Sequence, residues 1–289
     1  MNSTATLRER ISTPSPLLIP GAANALTAVL LESCGFEAVY VSGAGVVNTF
    51  LGMPDIGLMT LTELANQVSA IREVITVPLV VDADAGFGNP IGVRRTVRTL
   101  ERAGADAIQL EDQVEPKRCG HFAGKSVIPV NDMVHKIHAA LDARTDPNLV
   151  IIARTDACTV TGFDDACERA QQYLDAGADM AFVESPRNEH ELAEIPRRVP
   201  GLHVANMVEG GLTPILPLQD LGNLGFSIVL YANSAMRAAI TGMREVMNHL
   251  QAHGDTNAVS DRIATWEARQ NLVRKDVFDA LDHKYGDTR

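Results

Sequence analysis

Short runs of apolar, often β-branched residues recur along the whole chain, separated by longer stretches with helical periodicity. The runs cover 17–20, 38–42, 78–81, 107–110, 149–153, 180–183, 202–205 and 227–231. Each is too short for a helix and almost uninterrupted in apolar character, which predicts strands buried on both faces. Between them, 61–74, 91–103, 131–143, 164–176 and 189–199 place apolar residues three and four apart, the spacing of amphipathic helices. Glycines at 35, 104, 177 and 225 stand just before strands, where a helix C-terminus needs a residue that tolerates positive φ. The phrases AGADAIQLED, starting at Ala103, and AGADMAFVES, starting at Ala176, are near-copies of one helix-to-strand unit. Eight strands, each followed by a helix, predict a (β/α)8 TIM-type barrel of the α/β class over 17–254. A doubly wound open sheet is the alternative. Residues 1–16 read as an N-terminal arm and 255–289 as a helical extension without strands.

Charge narrows the range of ligands. The 289 residues carry 25 Lys and Arg against 36 Asp and Glu, a formal net charge of −11. Nucleic-acid binding needs a basic face and is not expected. No apolar run reaches the ~18 residues of a membrane span. The four cysteines, at 34, 119, 158 and 167, form no Cys-x-x-Cys pair, and residues 1–16 lack the apolar region of a signal peptide. Reduced thiols in a cytoplasmic enzyme follow, with Cys34, Cys158 and Cys167 read as buried and inert.

Polar residues collect where the apolar runs end: Ser42-Gly43, Asp82-Ala83-Asp84, Glu111-Asp112, Arg154-Thr155-Asp156, Glu184-Ser185, Asn206 and Asn233-Ser234. In a (β/α)8 barrel the C-terminal strand ends form one catalytic rim. Asp82 and Asp84, with Glu111 beside them, are hard oxygen donors without clustered imidazoles, a set suited to Mg2+ or Mn2+ and not to zinc. The segment 113–129 contains Lys117-Arg118-Cys119-Gly120-His121. Cations and a histidine beside Cys119 would stabilise a thiolate or tune the thiol as a proton donor, and Gly120 and Gly124 would let the segment act as a lid. Gly43-Ala44-Gly45 follows a strand, but Asn48 stands at the third glycine position of a dinucleotide-binding fingerprint, which therefore fails.

The motifs DADAGFGN, LEDQVEPKRCGH, IIARTDA and ANMVEGG together resemble the isocitrate lyase / phosphoenolpyruvate mutase superfamily, from about Leu18 to the end of the chain. The resemblance implies an (α/β)8 barrel, an α-oxycarboxylate held with Mg2+, a mobile lid, and a homotetramer exchanging a C-terminal helix between subunits. By position it implies that Ser42, Gly43 and Ala44 hold the α-carboxylate, that Asp82 and Asp84 form the metal site, and that Glu111 reaches metal-bound water. Cys119 corresponds to the lid acid and Gly120 to a backbone donor beside it. Arg154, Glu184 and Asn206 correspond to substrate-binding positions, and Tyr40 and Asp55 fall in the pocket. The implied reaction is a retro-aldol (reverse Claisen) cleavage of a 2-hydroxy di- or tricarboxylate, with Tyr40, Glu184 or metal-bound water as candidate base. Arg237 and Arg269 match two arginines that clamp the additional carboxylates in 2-methylisocitrate lyases, and Phe182 and Leu230 match residues that leave room for a methyl group. Val208 and Gly210 depart from that subfamily, as does LYANSA, which lacks its proline. These segments look more like 2,3-dimethylmalate lyase, oxaloacetate hydrolase or carboxyphosphoenolpyruvate phosphonomutase. The expectation is cleavage of 2-methylisocitrate or a near relative to pyruvate and a carboxylate such as succinate; a non-catalytic barrel is the remote alternative.

Overall fold

The computed structural model describes residues 3–118, 120 and 124–286. Helix α1 (Ser3–Ile11) precedes β1 (Leu17–Ala22) and α2 (Ala25–Ser33). Strand β2 (Val39–Val41) runs into the short α3 (Gly43–Val46), continued by a π-helical turn over Val47–Leu51, and then α4 (Leu61–Val74). The alternation goes on through β3 (Leu79–Asp82), α5 (Pro90–Ala103), β4 (Ala107–Glu111), α6 (Val130–Ala143), β5 (Val150–Thr155), α7 (Phe163–Asp175), β6 (Met180–Val183), α8 (Glu189–Arg198), β7 (Val204–Asn206), α9 (Leu218–Leu224), β8 (Ile228–Tyr231) and α10 (Ser234–His253). Helices α11 (Trp266–Leu272) and α12 (Lys275–Tyr285) follow.

All the strand pairs are parallel, and the order β6-β5-β4-β3-β2-β1-β8-β7 keeps sequence neighbours side by side. Strand β1 closes onto β8 with Leu17 opposite Ile228. The last seam, β6 to β7, is one parallel bridge, Ala181 to His203, with the Ala181 amide donating to the Leu202 carbonyl at 2.9 Å. That sparse seam explains why β7 starts at Val204 although the apolar run begins at Leu202. The sheet is thus a nearly closed (β/α)8 barrel, as the sequence pattern predicts.

Helix boundaries follow local chemistry. Thr60 and Glu63 make a reciprocal capping box at the start of α4. Helix α5 begins with Asn89 as cap and Pro90 in its first turn, and ends at Gly104 with φ 102°.

Alternate strand residues divide between the barrel interior and the layer under the helices. Val81, Ile108 and Ile151 pack outward with Leu64, Val97 and Ile137 of the helices. Ile19, Val80, Ile152, Met180 and Leu230 fill the barrel interior. Leu7 and Ile11 belong to the same interior cluster, 0% and 2% exposed. Helix α1 therefore plugs the base of the barrel, where the sequence suggested only an arm. Arg8 anchors the plug on Asp179 at 2.9 Å and on the carbonyls of Asn148 and Leu149. Leu7→Ala is expected to cost about 2–5 kcal/mol of stability, the range for a large-to-small change in a closed core, measurable by urea unfolding with activity retained in dilute denaturant.

Two of the three cysteines expected to be inert, Cys158 and Cys167, are buried, and burial pushes their thiols up to about 12 and about 11. Cys34 is a correction: it caps the C-terminus of α2 and is exposed, because the last turn of that helix faces solvent.

Candidate active site

The C-terminal strand ends surround a small cavity with about 40 Å³ of room for water-sized molecules. Tyr40, Ser42, Ala44, Asp82, Glu111, Arg154, Glu184 and Asn206 line it, as do Asp55, Lys117, Arg118 and Gly120 from the loops above. Its apolar lining comes from Phe182, Val208, Leu230 and Ala232.

The carboxylates of β3 sit where α3 begins. Ser42 caps that helix, its Oγ accepting from the Gly45 amide at 3.2 Å and donating to Asn233 Oδ1 at 3.2 Å. The Gly43 amide donates to Asp82 Oδ2 at 3.2 Å. A methyl group on Gly43 would lie 2.9 Å from Asp84 Oδ1 and 3.2 Å from Asp82 Oδ2, so only glycine lets both carboxylates come this close to the backbone. Asp82 Oδ1 accepts from the Asp84 amide and from Gln109 Nε2, both at 3.2 Å. Asp84 takes a left-handed backbone, φ 49°, a conformation uncommon for residues with a side chain.

Of the three buried acids, Asp82 is satisfied, whereas Asp84 and Glu111 each keep one oxygen without a hydrogen bond. Glu111 Oε1 is buried without a hydrogen bond, and Asp84 Oδ1 touches Lys117 Nζ at 2.6 Å without hydrogen-bond geometry. Burial pushes the Asp84 carboxyl up to about 7: Lys117 opposes the rise, and Asp82 and Asp55 add to it. Burial likewise holds Glu111 well above the carboxylate range despite Arg154. Such a set fits a hard divalent cation, which would supply the missing charge and occupy the unsatisfied oxygens. Among the described residues no three His, Cys, Asp or Glu side chains converge to enclose a metal by themselves. The donor set therefore suits an ion that retains water and ligand oxygens in its shell.

Arg154 is the central cation. Its Nε and Nη2 grip Asp156 in a bidentate pair at 3.0 and 2.9 Å, and Nη1 lies 3.4 Å from Glu111 Oε2. Nε is 3.8 Å from Glu184 Oε2, and the guanidinium stands 5.4 Å from the centre of the Phe182 ring. Asp156 also accepts from Lys125 Nζ at 2.9 Å; burial favours its neutral form, but Arg154 and Lys125 outweigh this and keep it ionised. Lys125 Nζ donates in addition to the Gly120 carbonyl. A methyl group on Gly120 would lie 2.4 Å from Arg154 Nη2, so this glycine packs directly on the guanidinium. Asn206 Nδ2 donates to Glu184 Oε2 at 3.2 Å, and its Oδ1 makes no hydrogen bond.

A model of the phosphoenolpyruvate phosphomutase family matches residues 7–251. The chain belongs to this family. A 2,3-dimethylmalate lyase from Eubacterium barkeri is 43% identical over 289 residues, covering 100% of both chains. A 2-methylisocitrate lyase from Aeropyrum pernix is 46% identical over 276 residues, 96% of this chain and 89% of that one. Among solved structures, a 2,3-dimethylmalate lyase in a trigonal crystal form superposes with a TM-score of 0.93 at 32% identity, covering 99% of this chain and 96% of that one. A phosphonopyruvate hydrolase of the same fold, solved with oxalate and Mg2+, has a TM-score of 0.90 at 28% identity over 99% of each chain.

Of the residues expected at the rim, the structure brings together Tyr40, Ser42, Gly43, Ala44, Asp82, Asp84, Glu111, Gly120, Arg154, Glu184 and Asn206. Cys119 and His121 lie outside the described residues. Within the single chain, two of the expected substrate-binding arginines stand apart from the cavity. Arg237 does not line the cavity; its Nη1 donates to the Glu209 carbonyl and reaches Glu209 Oε2 at 3.2 Å. Arg269 lies on α11, exposed, with its guanidinium 4.1 Å from the Trp266 ring centre. Tyr40 is also a poor base: its hydroxyl donates to Gln109 Oε1 at 2.9 Å, and burial, reinforced by Asp82, raises its ionisation far above the ordinary phenol value. Lys117, expected beside the cysteine thiol, places its ammonium between Asp55 and Asp84, 2.6 Å from each.

Gln109, Asp156 and Lys125 pair with the rim residues although the sequence does not mark them as candidate site residues. Gln109 links Tyr40 to Asp82 from the middle of β4, and a polar residue inside an apolar run is the signal that would have found it. Asp156 was noted only as part of the rim. Lys125 carries no sequence signal apart from its place in the loop.

Proposed function

We propose that the chain is a Mg2+-dependent carbon–carbon lyase, with Mn2+ as a substitute, acting on a 2-hydroxy di- or tricarboxylate. The observation that carries this reading is the meeting of Asp82 and Glu111 with Arg154 in one buried cavity, with Asp84 beside Asp82 at the Gly43 backbone. Asp82 and Asp84 would hold the ion directly and Glu111 through water. When bound, the ion supplies Lewis-acid polarisation of the α-oxy group. The leading substrate is 2-methylisocitrate, giving pyruvate and succinate, the activity named for relatives 38–46% identical to this chain.

The chain's own groups then have defined tasks. Arg154 offsets the substrate carboxylate, and its fixed pairing with Asp156 spares reorganisation during reaction. Ser42, Gly43 and Ala44 position the carboxylate at the start of α3. As the bond between the hydroxyl-bearing carbon and its neighbour breaks, the hydroxyl proton is lost and the carbonyl of the keto acid forms. The electron pair goes to the leaving carbon, which takes a proton. Glu184, fixed by Ser185 at 3.0 Å and Asn206 at 3.2 Å, is placed to accept the hydroxyl proton. Cys119, with His121 close in sequence, is the proposed donor to the leaving fragment. Cys119→Ser is expected to lower kcat by about 10²–10⁴-fold, the worth of a general acid, while calorimetry shows substrate binding retained. Full turnover in that variant would remove the acid role.

A second reading, 2,3-dimethylmalate cleaved to pyruvate and propionate, is favoured by the apolar wall of Phe182, Val208 and Leu230 and by the engagement of Arg237 with Glu209. Pyruvate release from 2-methylisocitrate and 2,3-dimethylmalate, and oxalate release from oxaloacetate, each with and without Mg2+, decide between them. Turnover of dimethylmalate alone overturns the tricarboxylate assignment, and turnover of none overturns the lyase. Within this reading the enzyme is cytoplasmic and a homotetramer. The large apolar residues exposed on the C-terminal helices, among them Met243, Trp266, Phe278 and Tyr285, support self-association, and no helix among the described residues is long and apolar enough to cross a membrane.

A further inference from the structure

The Lys117 ammonium occupies an unusual position for a residue of a surface loop. Its side chain is 6% exposed, it lies 2.6 Å from Asp55 Oδ1 and 2.6 Å from Asp84 Oδ1, and Asp84 is one of the two carboxylates proposed to hold the metal. Burial alone would weaken its hold on the proton, but Asp84, Glu111, Asp82 and Asp55 more than compensate and keep it charged. Asp55 is itself buried, and the Gly57 turn beneath packs against Pro116 and Lys117, leaving 3.3–3.6 Å for a methyl group. A full positive charge is therefore built into the acidic cluster by the loop above the rim, in contact with the same oxygen that has no hydrogen bond.

We infer that Lys117 is an internal counter-cation that competes with the divalent metal for Asp84, so that metal loading breaks the Lys117–Asp84 contact and leaves the ammonium on Asp55 alone. This rests on the metal reading above. Two cations cannot share one carboxylate oxygen at contact distance in a buried site without strong mutual repulsion. Asp55 is then the fixed berth to which the lysine retreats, which explains a buried aspartate that needs no place in the first coordination shell. The exchange also links the metal to the loop 113–118, which is otherwise tied down by the Gly88 amide donating to Glu115 at 3.0 Å and by the Gln113–Arg118 pair.

The test is calorimetric titration of Mg2+ alone into the full chain and into Lys117→Met, Lys117→Gln and Lys117→Arg. Removing a charge a few ångströms from a divalent site, at an effective dielectric constant of about 20, is expected to tighten Mg2+ binding by tenfold or more in the neutral variants, while Lys117→Arg stays near wild type. The metal-free neutral variants should melt at lower temperature and gain more from Mg2+ than wild type does. A lysine with a purely architectural role would weaken binding instead. In the wild-type chain, which needs no variant to fold, Mg2+ should raise the rate at which Lys117 is acetylated, read by peptide mass spectrometry. Unchanged or weaker Mg2+ affinity in the neutral variants, or unchanged acetylation, overturns the competition and leaves the metal site standing. Absence of Mg2+ binding in every form overturns the metal reading and this inference with it.

Discussion

Arg154→Lys is expected to lower kcat/KM by at least about 10³-fold, and Arg154→Met to abolish measurable turnover. A planar fork that grips Asp156 with two nitrogens and turns its third towards Glu111 cannot be copied by a single ammonium. Loss of one preorganised donor to developing charge in a dry site costs about 10²–10³-fold, and misplacement of the substrate carboxylate adds to that. The methionine variant should also lose about 3–5 kcal/mol of stability, because Asp156, Glu111 and Glu184 remain buried with their shared cation gone. Steady-state kinetics for the lysine variant and denaturant unfolding for the methionine variant check the two parts separately. A lysine variant within tenfold of wild type would show that Arg154 acts on structure alone.

The second large effect is expected at Asp82→Asn, a loss of roughly 10³-fold in kcat/KM, the several kcal/mol that Lewis-acid stabilisation is worth, with Tm held at or above the wild-type value. Both oxygens of Asp82 accept from amide N–H groups: Gly43 on one side, Asp84 and Gln109 on the other. An asparagine must turn its own NH2 toward one of these donors, which costs a hydrogen bond, about 1–3 kcal/mol. Against this, one of several like charges in the cluster disappears, relieving the repulsion that adds to the effect of burial on Asp84 and Glu111. Activity and stability therefore part company, as they do where function holds charges together against their preference. A fall in Tm that parallels the fall in activity would argue instead that Asp82 is a structural brace.

The barrel is legible because its strands are buried on both faces and its helices on one, so the two periods alternate cleanly along the chain. The strand at Met180–Val183 and the helix at Leu61–Val74 coincide with the sequence pattern residue for residue. The rim is legible for the same reason: a polar residue that ends an apolar run must stand at a strand end, and parallel strands share that end. What the pattern cannot carry is pairing between distant segments. Nothing local assigns Lys117 to Asp55 and Asp84, or Arg237 to Glu209, because a charged side chain on a loop reaches whichever partner folding brings near. Helix α1 was missed for a different reason. Among the Ser, Thr and Arg residues of Ser3–Ile11, only Leu7 and Ile11 mark one apolar face, and two residues make a weak periodicity.

That helix has a kinetic consequence. The cavity that receives Leu7 and Ile11 is walled by residues of strands from β1 to β8, including Ile228 and Leu230. The segment made before any strand therefore finds its seat only after the last strand has arrived and β1 has closed onto β8. Until then its two apolar side chains and the open lower mouth of the barrel remain in water, and contacts this far apart along the chain form slowly. Seating of α1 is the natural final step of folding for this protein, and the one most exposed to interruption.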